Sequence, residues 1–470
     1  MLLERIKIIN EELAFRYSGK LLLRREIPLS DSSFQYLLHL SYFTPISSFT
    51  YRLFEKQCRR CGNQKPSLLG KIPCPHCRKT HLYCRKCIQM GRVMECEPLY
   101  VWSGPLPKWK KYQSPCSWKG NLTKAQQKAA IRIVKAIQQK EKELLVWAVC
   151  GSGKTEMLFN GITKALQLGM RICIATPRQD VVRELTPRIK EAFLTVPIEG
   201  LYGGSKDRDG SSQLMIATTH QLLRFREAFD VLIIDEIDAF PYHKDPSLPY
   251  AAKRAIKKNG TMIYLTATPN KHLQNRIRKK ELSHVFVPVR FHGHPLIIPS
   301  FKLCFSLKKY LNHSILPDSV VNWIKQRNNK QRQMLIFLPT IALTENLLES
   351  ITTILFKENI VKTKKEVAAV HAEDVSREEK IQAFRNRTLT VLLTTTILER
   401  GVTFPSVDVI VLQADHEVFD EAALVQIAGR AGRSVDDPSG QVVFFHQGKT
   451  NAMVRARDLI QQMNKKGGFI

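Results

Sequence analysis

The sequence predicts an α/β protein with two parallel-sheet domains in tandem, preceded by a small zinc-binding module. Three observations predict it. From Leu122 onward, apolar runs of strand length alternate with helical stretches, and each run ends in small or polar residues, as parallel strands do when the loops after them carry chemistry. LLVWAVC, RICIAT, QLMIATT, FDVLIID and TMIYLTAT form a first set; QMLIFLPT, EVAAVHAE, LTVLLTTT, VDVIVLQA and GQVVFFHQ form a second. Between the sets, a weaker stretch at 284–314, rich in Pro and His, reads as a connection. Lastly, eight of the 11 cysteines crowd between Cys58 and Cys116. The expected organisation is a helical leader (1–57), a cysteine-rich module (58–118), a first parallel-sheet domain (119–290) and a second (291–470).

Composition fits a globular chain able to bury several cores, with 44% hydrophobic and 24% charged residues. No apolar stretch approaches the ~20 residues that cross a bilayer, and the N-terminus does not read as a signal peptide. A cytoplasmic protein is expected. The formal charge of +30 points to a polyanionic partner. Between Arg52 and Lys119 lie 15 Lys/Arg, three acids and seven aromatics: Phe54, Tyr83, Tyr100, Trp102, Trp109, Tyr112 and Trp118. Positive charge tracks phosphates and rings stack on bases, so the mixture suits single-stranded nucleic acid. For most of these rings the core of that segment is the better reading.

Ala148-Val149-Cys150-Gly151-Ser152-Gly153-Lys154-Thr155 follows an apolar run and opens a helix. Glycines in such a loop let backbone N–H groups close around phosphate oxygens. Lys154 is placed to reach the β- and γ-phosphates of ATP, and the Thr155 hydroxyl to hold Mg2+. In VLIIDEID, Asp235 is expected to bind the Mg2+ and Glu236 to orient and deprotonate the attacking water. TAT (Thr266 to Thr268) follows the next strand. TTTILERG and QIAGRAGR lie in the second half; Arg430 and Arg433 are expected as arginine fingers closing from across a cleft, with Gly401 beside the nucleotide. Gln126, upstream of the phosphate loop, is a candidate adenine contact. Thr176, Arg178, Gly203, Gly204, Thr219 and Thr395 stand in loops after strands, where hydroxyls, open backbone N–H groups and a guanidinium can grip a nucleic-acid backbone without reading sequence.

The cysteines include three C-x2-C pairs, Cys58/Cys61, Cys74/Cys77 and Cys84/Cys87, with Cys96 and Cys116 unpaired. Each pair presents two thiolates to one tetrahedral Zn2+; spacing alone does not fix which pairs share a metal. His76 and His81 are possible substitutes and read better as exposed loop residues.

In their order, AVCGSGKT, DEID, TAT, TTILERG and QIAGRAGR resemble a superfamily 2 helicase-like ATPase with two RecA-like domains. CRRCG, LYCRKC, AVCGSGKTEMLF, TTHQLL, DEIDAFPY, TTTILERGVTFP and ALVQIAGRAGRS resemble more closely the ComFA family of late competence proteins, from about Tyr51 to the C-terminus. The primosomal helicase PriA is similar in style. The resemblance implies an ATPase at the inner face of the cell membrane that draws single-stranded DNA through the ComEC channel and works with ComFC. It places the zinc ligands on Cys58, Cys61, Cys84 and Cys87; Cys74 and Cys77 depart from that pattern, and could form a second site with Cys96 and Cys116, replace one pair or stay unmetallated. Two rival readings are a replication-restart or repair helicase and a DNA-binding scaffold whose ATP site only switches affinity.

Overall fold

A computed structural model describes residues 2–52, 55–207 and 209–469; Phe54, one ring of the basic aromatic segment, lies outside the described residues. The chain divides into two compact units. The first comprises Met1–Leu122, Gln127–Trp147 and Thr155–Val285; the second comprises Thr123–Gln126, Ala148–Lys154 and Phe286–Ile470.

The N-terminal part of the first unit is built from short antiparallel strands. β1 (Leu21–Leu22) and β2 (Phe43–Ile46) flank β8 (Leu99–Trp102). β3 (Phe49–Arg52) pairs with β4 (Glu55–Cys58), while β5 (Leu69–Pro73), β6 (Thr80–Cys84) and β7 (Val93–Met94) form a third small sheet. Tyr17, Phe34, Phe43 and Trp102 interlock in a local apolar core. Segments on either side of the cysteine pairs are therefore woven together, since Leu21 pairs with Val101 and Phe43 with Trp102.

The rest of the first unit is a seven-stranded sheet of β9 (Glu143–Ala148), β10 (Ile172–Thr176), β11 (Ile198–Leu201), β12 (Leu214–Thr218), β13 (Phe229–Ile234), β14 (Ile256–Thr266) and β15 (Ser283–Val287), in the order β11-β12-β10-β13-β14-β9-β15. Pairings from β11 through β9 are parallel. The second unit holds β16 (Ser300–Leu303), β17 (Gln333–Phe337), β18 (Val367–Val370), β19 (Val391–Thr394), β20 (Val407–Val411) and β21 (Val442–His446), in the order β16-β21-β20-β17-β19-β18, all parallel. Strands such as β10, β12, β17 and β20 are buried at every residue. Helices cover both faces of such sheets, which is why these strands read as unbroken apolar runs. The two-sheet α/β expectation is met, and all ten runs named from the sequence contain a strand.

The expected connection at 284–314 holds structure of its own: β16 lies within it and pairs along the edge of the second sheet. Its side chains are largely exposed, so it carries no apolar signature. Among the described residues, no helix is long and apolar enough to cross a membrane.

Candidate nucleotide and nucleic-acid site

In the first unit, parallel register brings four loops to one sheet edge. Leu201 is level with Ala217, Thr176 with Thr218, and Ala175 with Ile234. The chain leaves these strands through Tyr202-Gly203-Gly204, Thr219–Gln221, Pro177-Arg178 and Asp235-Glu236 respectively. Ligands of open parallel sheets bind beyond the carboxyl ends of the strands. Gly204 has φ +80° and open space where a Cβ would stand, so its backbone is bare to a ligand. The Oγ1 atoms of Thr176 and Thr219 and Oε1 of Gln221 are buried without a hydrogen-bond partner among the described residues. Arg178 lies 3.6 Å from Asp180.

Asp235 is tied back to the sheet by its N–H, donated to Ala175 O at 2.8 Å, and its Oδ1 accepts from the Glu236 N–H at 2.9 Å. Glu236 itself sits at φ +54°, a left-handed conformation that costs a non-glycine residue of order 1 kcal/mol and that clusters at functional sites. Asp238 accepts from both threonine hydroxyls of TAT, Thr266 at 2.6 Å and Thr268 at 2.5 Å.

The N-terminal module packs against the same half of the molecule. Cys58, Cys61, Cys84 and Cys87 are buried, and their sulfurs all lie within 4.8 Å of one another. Cys58 and Cys87 are 3.8 Å apart and Cys61 and Cys84 3.5 Å, the spacing of thiolates around one tetrahedral ion. Gly62, at φ +74° behind the first pair, lies on the Tyr250 ring, and a Cβ there would stand 2.6 Å from it. Arg254 of the helix Ser247–Ala255 donates to Arg59 O at 2.9 Å and to Arg60 O on the module side. It also donates to Leu223 O at 2.7 Å and Phe225 O at 3.0 Å, at the end of the turn opened by Thr219. One guanidinium thus joins the cysteine module to a strand-end loop. Lys86 pairs with Asp245 at 2.7 Å a short way along. A cavity of about 610 Å3 has Gly203, Gly204 and Gln221 on one wall and Arg25, Gln89 and Arg224 on the others.

Three of the described aromatic rings of the basic segment are used in packing. Trp102 is buried in the local core, Trp118 meets Phe159 at 5.4 Å, and Trp109 sits between Phe15 and the Arg171 guanidinium.

In the second unit, Gly151 and Gly153 hold φ +75° and +69°, which lets the loop turn its N–H groups inward. Lys154 begins the helix Lys154–Gln167. Gln126 is buried; its amide donates to Ser152 O at 2.9 Å and accepts from the Thr123 N–H at 2.7 Å. It is bound to the loop backbone, so an adenine contact would have to use its remaining N–H and lone pair. Cys150 Sγ donates to Gln426 Oε1 at 3.0 Å, and a Cβ on Gly429 would stand 2.6 Å from Cys150 Cβ. This brings the glycine-spaced QIAGRAGR segment against the phosphate loop.

Arg430 is buried and donates to Glu399 O at 2.9 Å and to Val402 O, clasping the loop that contains Gly401 (φ +76°). Arg433 donates to Gly429 O at 2.9 Å. Thr395 precedes the turn after β19, makes no capping hydrogen bond with its side chain, and is buried. The sequence reading missed Arg290. Its side chain is 1% exposed, packs alongside Gly151 and donates from Nη1 to Gly432 O. Nε and Nη2 have no hydrogen-bond partner among the described residues. Burial, then the nearby Arg433 charge, pushes its pKa down to about 10. A desolvated cation with two undirected donors beside a glycine phosphate loop fits an anionic phosphate group.

Comparison with known proteins agrees with this arrangement. Residues 7–101 match the family model for the competence protein ComFA N-terminal domain, so the likeness begins well before Tyr51. Residues 119–271 match the res subunit of type III restriction enzymes, and 315–435 the helicase conserved C-terminal domain. Among solved structures, Dbp5 of S. cerevisiae bound to RNA and ADP BeF3 superposes with TM-score 0.52 at 16% identity, covering 74% of this chain and 88% of that one. The helicase Lhr of Mycobacterium smegmatis bound to ssDNA and AMP-PNP gives TM-score 0.52 at 17% identity, covering 74% and 50%. Those likenesses establish two RecA-like domains, and the matched domains make the chain a superfamily 2 helicase-type ATPase. The competence protein ComFA of Bacillus subtilis is 44% identical over 98% of this chain and 97% of its own length, and that of Streptococcus pneumoniae 39% over 90% and 98%. At these identities over nearly the whole of each protein, and with the N-terminal family model matched, the chain belongs to the ComFA family of competence proteins.

Proposed function

We propose that this protein is an ATP-driven translocase on single-stranded DNA that helps draw incoming DNA into the cytoplasm, acting at the inner membrane face with the ComEC channel and ComFC. The observation that carries the reading is the common sheet edge at which the Gly203-Gly204, Thr219, Thr176 and Asp235 loops emerge. A hydrolytic pair and a set of sequence-blind backbone contacts then share one rigid sheet, so a change at one is felt at the others.

In this reading the phosphate loop, Lys154 and Arg290 bind the ATP phosphates, and Thr155 and Asp235 hold Mg2+, which neutralises phosphate charge. Glu236 orients the attacking water and takes its proton. Arg433 supplies charge to the γ-phosphate as bonds break. Arg430 positions the Gly401 loop, since its guanidinium is already committed to that loop's carbonyls, and Gln126 positions the phosphate loop through Ser152. Arg178 and the strand-end hydroxyls and N–H groups hold DNA phosphates, with Thr395 doing so from the second unit. The four buried cysteines bind one Zn2+ and fix the module beside the Thr219 turn.

The test is displacement of streptavidin from biotinylated single-stranded DNA. ATP is expected to accelerate displacement at least tenfold, with Glu236→Gln inactive. ATP-independent displacement, or none despite ATP turnover, sinks the translocase reading. Efficient unwinding of blunt duplex would favour a repair helicase instead.

A further inference from the structure

We propose that Cys74, Cys77 and Cys96, with His81, form a second zinc site distinct from the four-cysteine cluster. The three sulfurs lie within 4.8 Å of one another. The backbone around Cys74 repeats the turn around Cys58. Cys58 N–H donates to Asn63 O at 3.0 Å and Gly62 N–H returns to Cys58 O at 2.8 Å, with Gly62 at φ +74°. Cys74 N–H donates to Lys79 O at 2.9 Å and Arg78 N–H returns to Cys74 O at 2.9 Å, with Arg78 at φ +57°. The offsets are the same, and at the second turn the left-handed position is held by an arginine, which a free loop would avoid. This turn is the tip of the β5–β6 hairpin, closed by the Pro73–Thr80 pair.

His81 lies one residue into β6, with Nε2 3.0 Å from Cys77 Sγ. Its Nδ1 faces Glu95 Oε2 at 3.7 Å, and that carboxylate is fixed by the Leu82 N–H at 3.0 Å. A carboxylate behind one ring nitrogen orients the other toward a metal, as in many histidine zinc sites. Zn–S of ~2.3 Å and Zn–N of ~2.0 Å put sulfur and nitrogen roughly 3.5 Å apart, so the His81–Cys77 contact opens as the imidazole swings in to complete Cys3His. Cys116 is excluded as a ligand, because its neighbour Ser117 is anchored to Ala192 O at 2.8 Å on the RecA-like part of the unit.

The test is zinc content of the purified full-length protein by native mass spectrometry, with free thiols counted alongside. Wild type is expected to carry two Zn2+, and Cys77→Ser and Cys96→Ser one each. Cys77 is exposed, so its loss leaves the core intact. His81→Ala is expected to keep two ions but to surrender one to a chelator at least tenfold faster. One Zn2+ in wild type, unchanged in Cys77→Ser, overturns the second site while leaving the first standing. A Cys74–Cys77 disulfide also overturns it, and no zinc at all overturns both.

Discussion

Thr268 donates its hydroxyl to Asp238 Oδ2 at 2.5 Å, and Asp238 stands two residues beyond the candidate general base Glu236. With Thr266 on Oδ1, both oxygens of that carboxylate are held by the TAT loop. Hydrogen bonds to a charged group contribute ~1.5–3 kcal/mol each, so a shift in one loop drags the other. Replacing both Thr266 and Thr268 by valine is expected to leave ATP affinity within about threefold while cutting the stimulation of hydrolysis by DNA at least tenfold. Stimulation that survives would show that the link carries no coupling; nucleotide titration and steady-state turnover measure both.

The residues around phosphate should separate by role. Glu236→Gln loses a general base worth roughly 10²–10⁴ in rate and should keep its affinity for ATP. Arg433→Ala should lower turnover on the order of 10³-fold with little change in binding. Arg290→Ala should weaken ATP binding as well, and Arg290→Lys should not rescue it, because a lysine cannot present two fixed donors. Equal effects of all three on binding alone would contradict this division.

Arg254 offers a stability test. It is half-buried, its pKa driven down to about 10 chiefly by desolvation, and its donors serve carbonyls on both the cysteine module and the Thr219 turn. Arg254→Ala leaves those carbonyls unsatisfied at ~1–3 kcal/mol each. Limited proteolysis is expected to cut between module and motor at least tenfold faster, with nucleotide affinity preserved. An unchanged cleavage rate would mean that the module is held elsewhere.

Lys20 predicts a pH dependence. Burial, reinforced by the Arg171 charge, lowers its pKa to about 7. Its unfolded value is 10.5. Between these values the unfolded chain binds more protons than the folded one, so stability rises with pH from about 7 to about 10.5, by at most ~1.4 kcal/mol per pH unit. Below pH 7 the penalty is fully present. Lys20→Met should flatten this segment of the stability curve; thermal unfolding from pH 6 to 9 that keeps the wild-type slope would refute the assignment.

Legibility followed burial and backbone need. Strands buried on both faces announced themselves as apolar runs, whereas β16, exposed along an edge, and β1, two residues paired to a strand almost 80 positions away, carry no local signal. Motifs that require glycine at positive φ, such as Gly151, Gly153 and Gly401, were readable because few other residues take that conformation. Arg290 and Arg254 were not, since each is one arginine among 72 basic residues and its role arises only when distant segments meet around it. The aromatic rings near Trp109 were ambiguous for the same reason, since composition is identical for a stacking platform and a small core; the core reading preferred for most of them fits the packing of Trp102, Trp109 and Trp118.

The most direct test of the central claim is steady-state ATP hydrolysis by the full-length protein with no nucleic acid, single-stranded DNA, duplex DNA and RNA in parallel. Low turnover is expected alone, with at least a tenfold rise on single-stranded DNA that exceeds the rise on duplex or RNA. Turnover indifferent to all three polymers would contradict it.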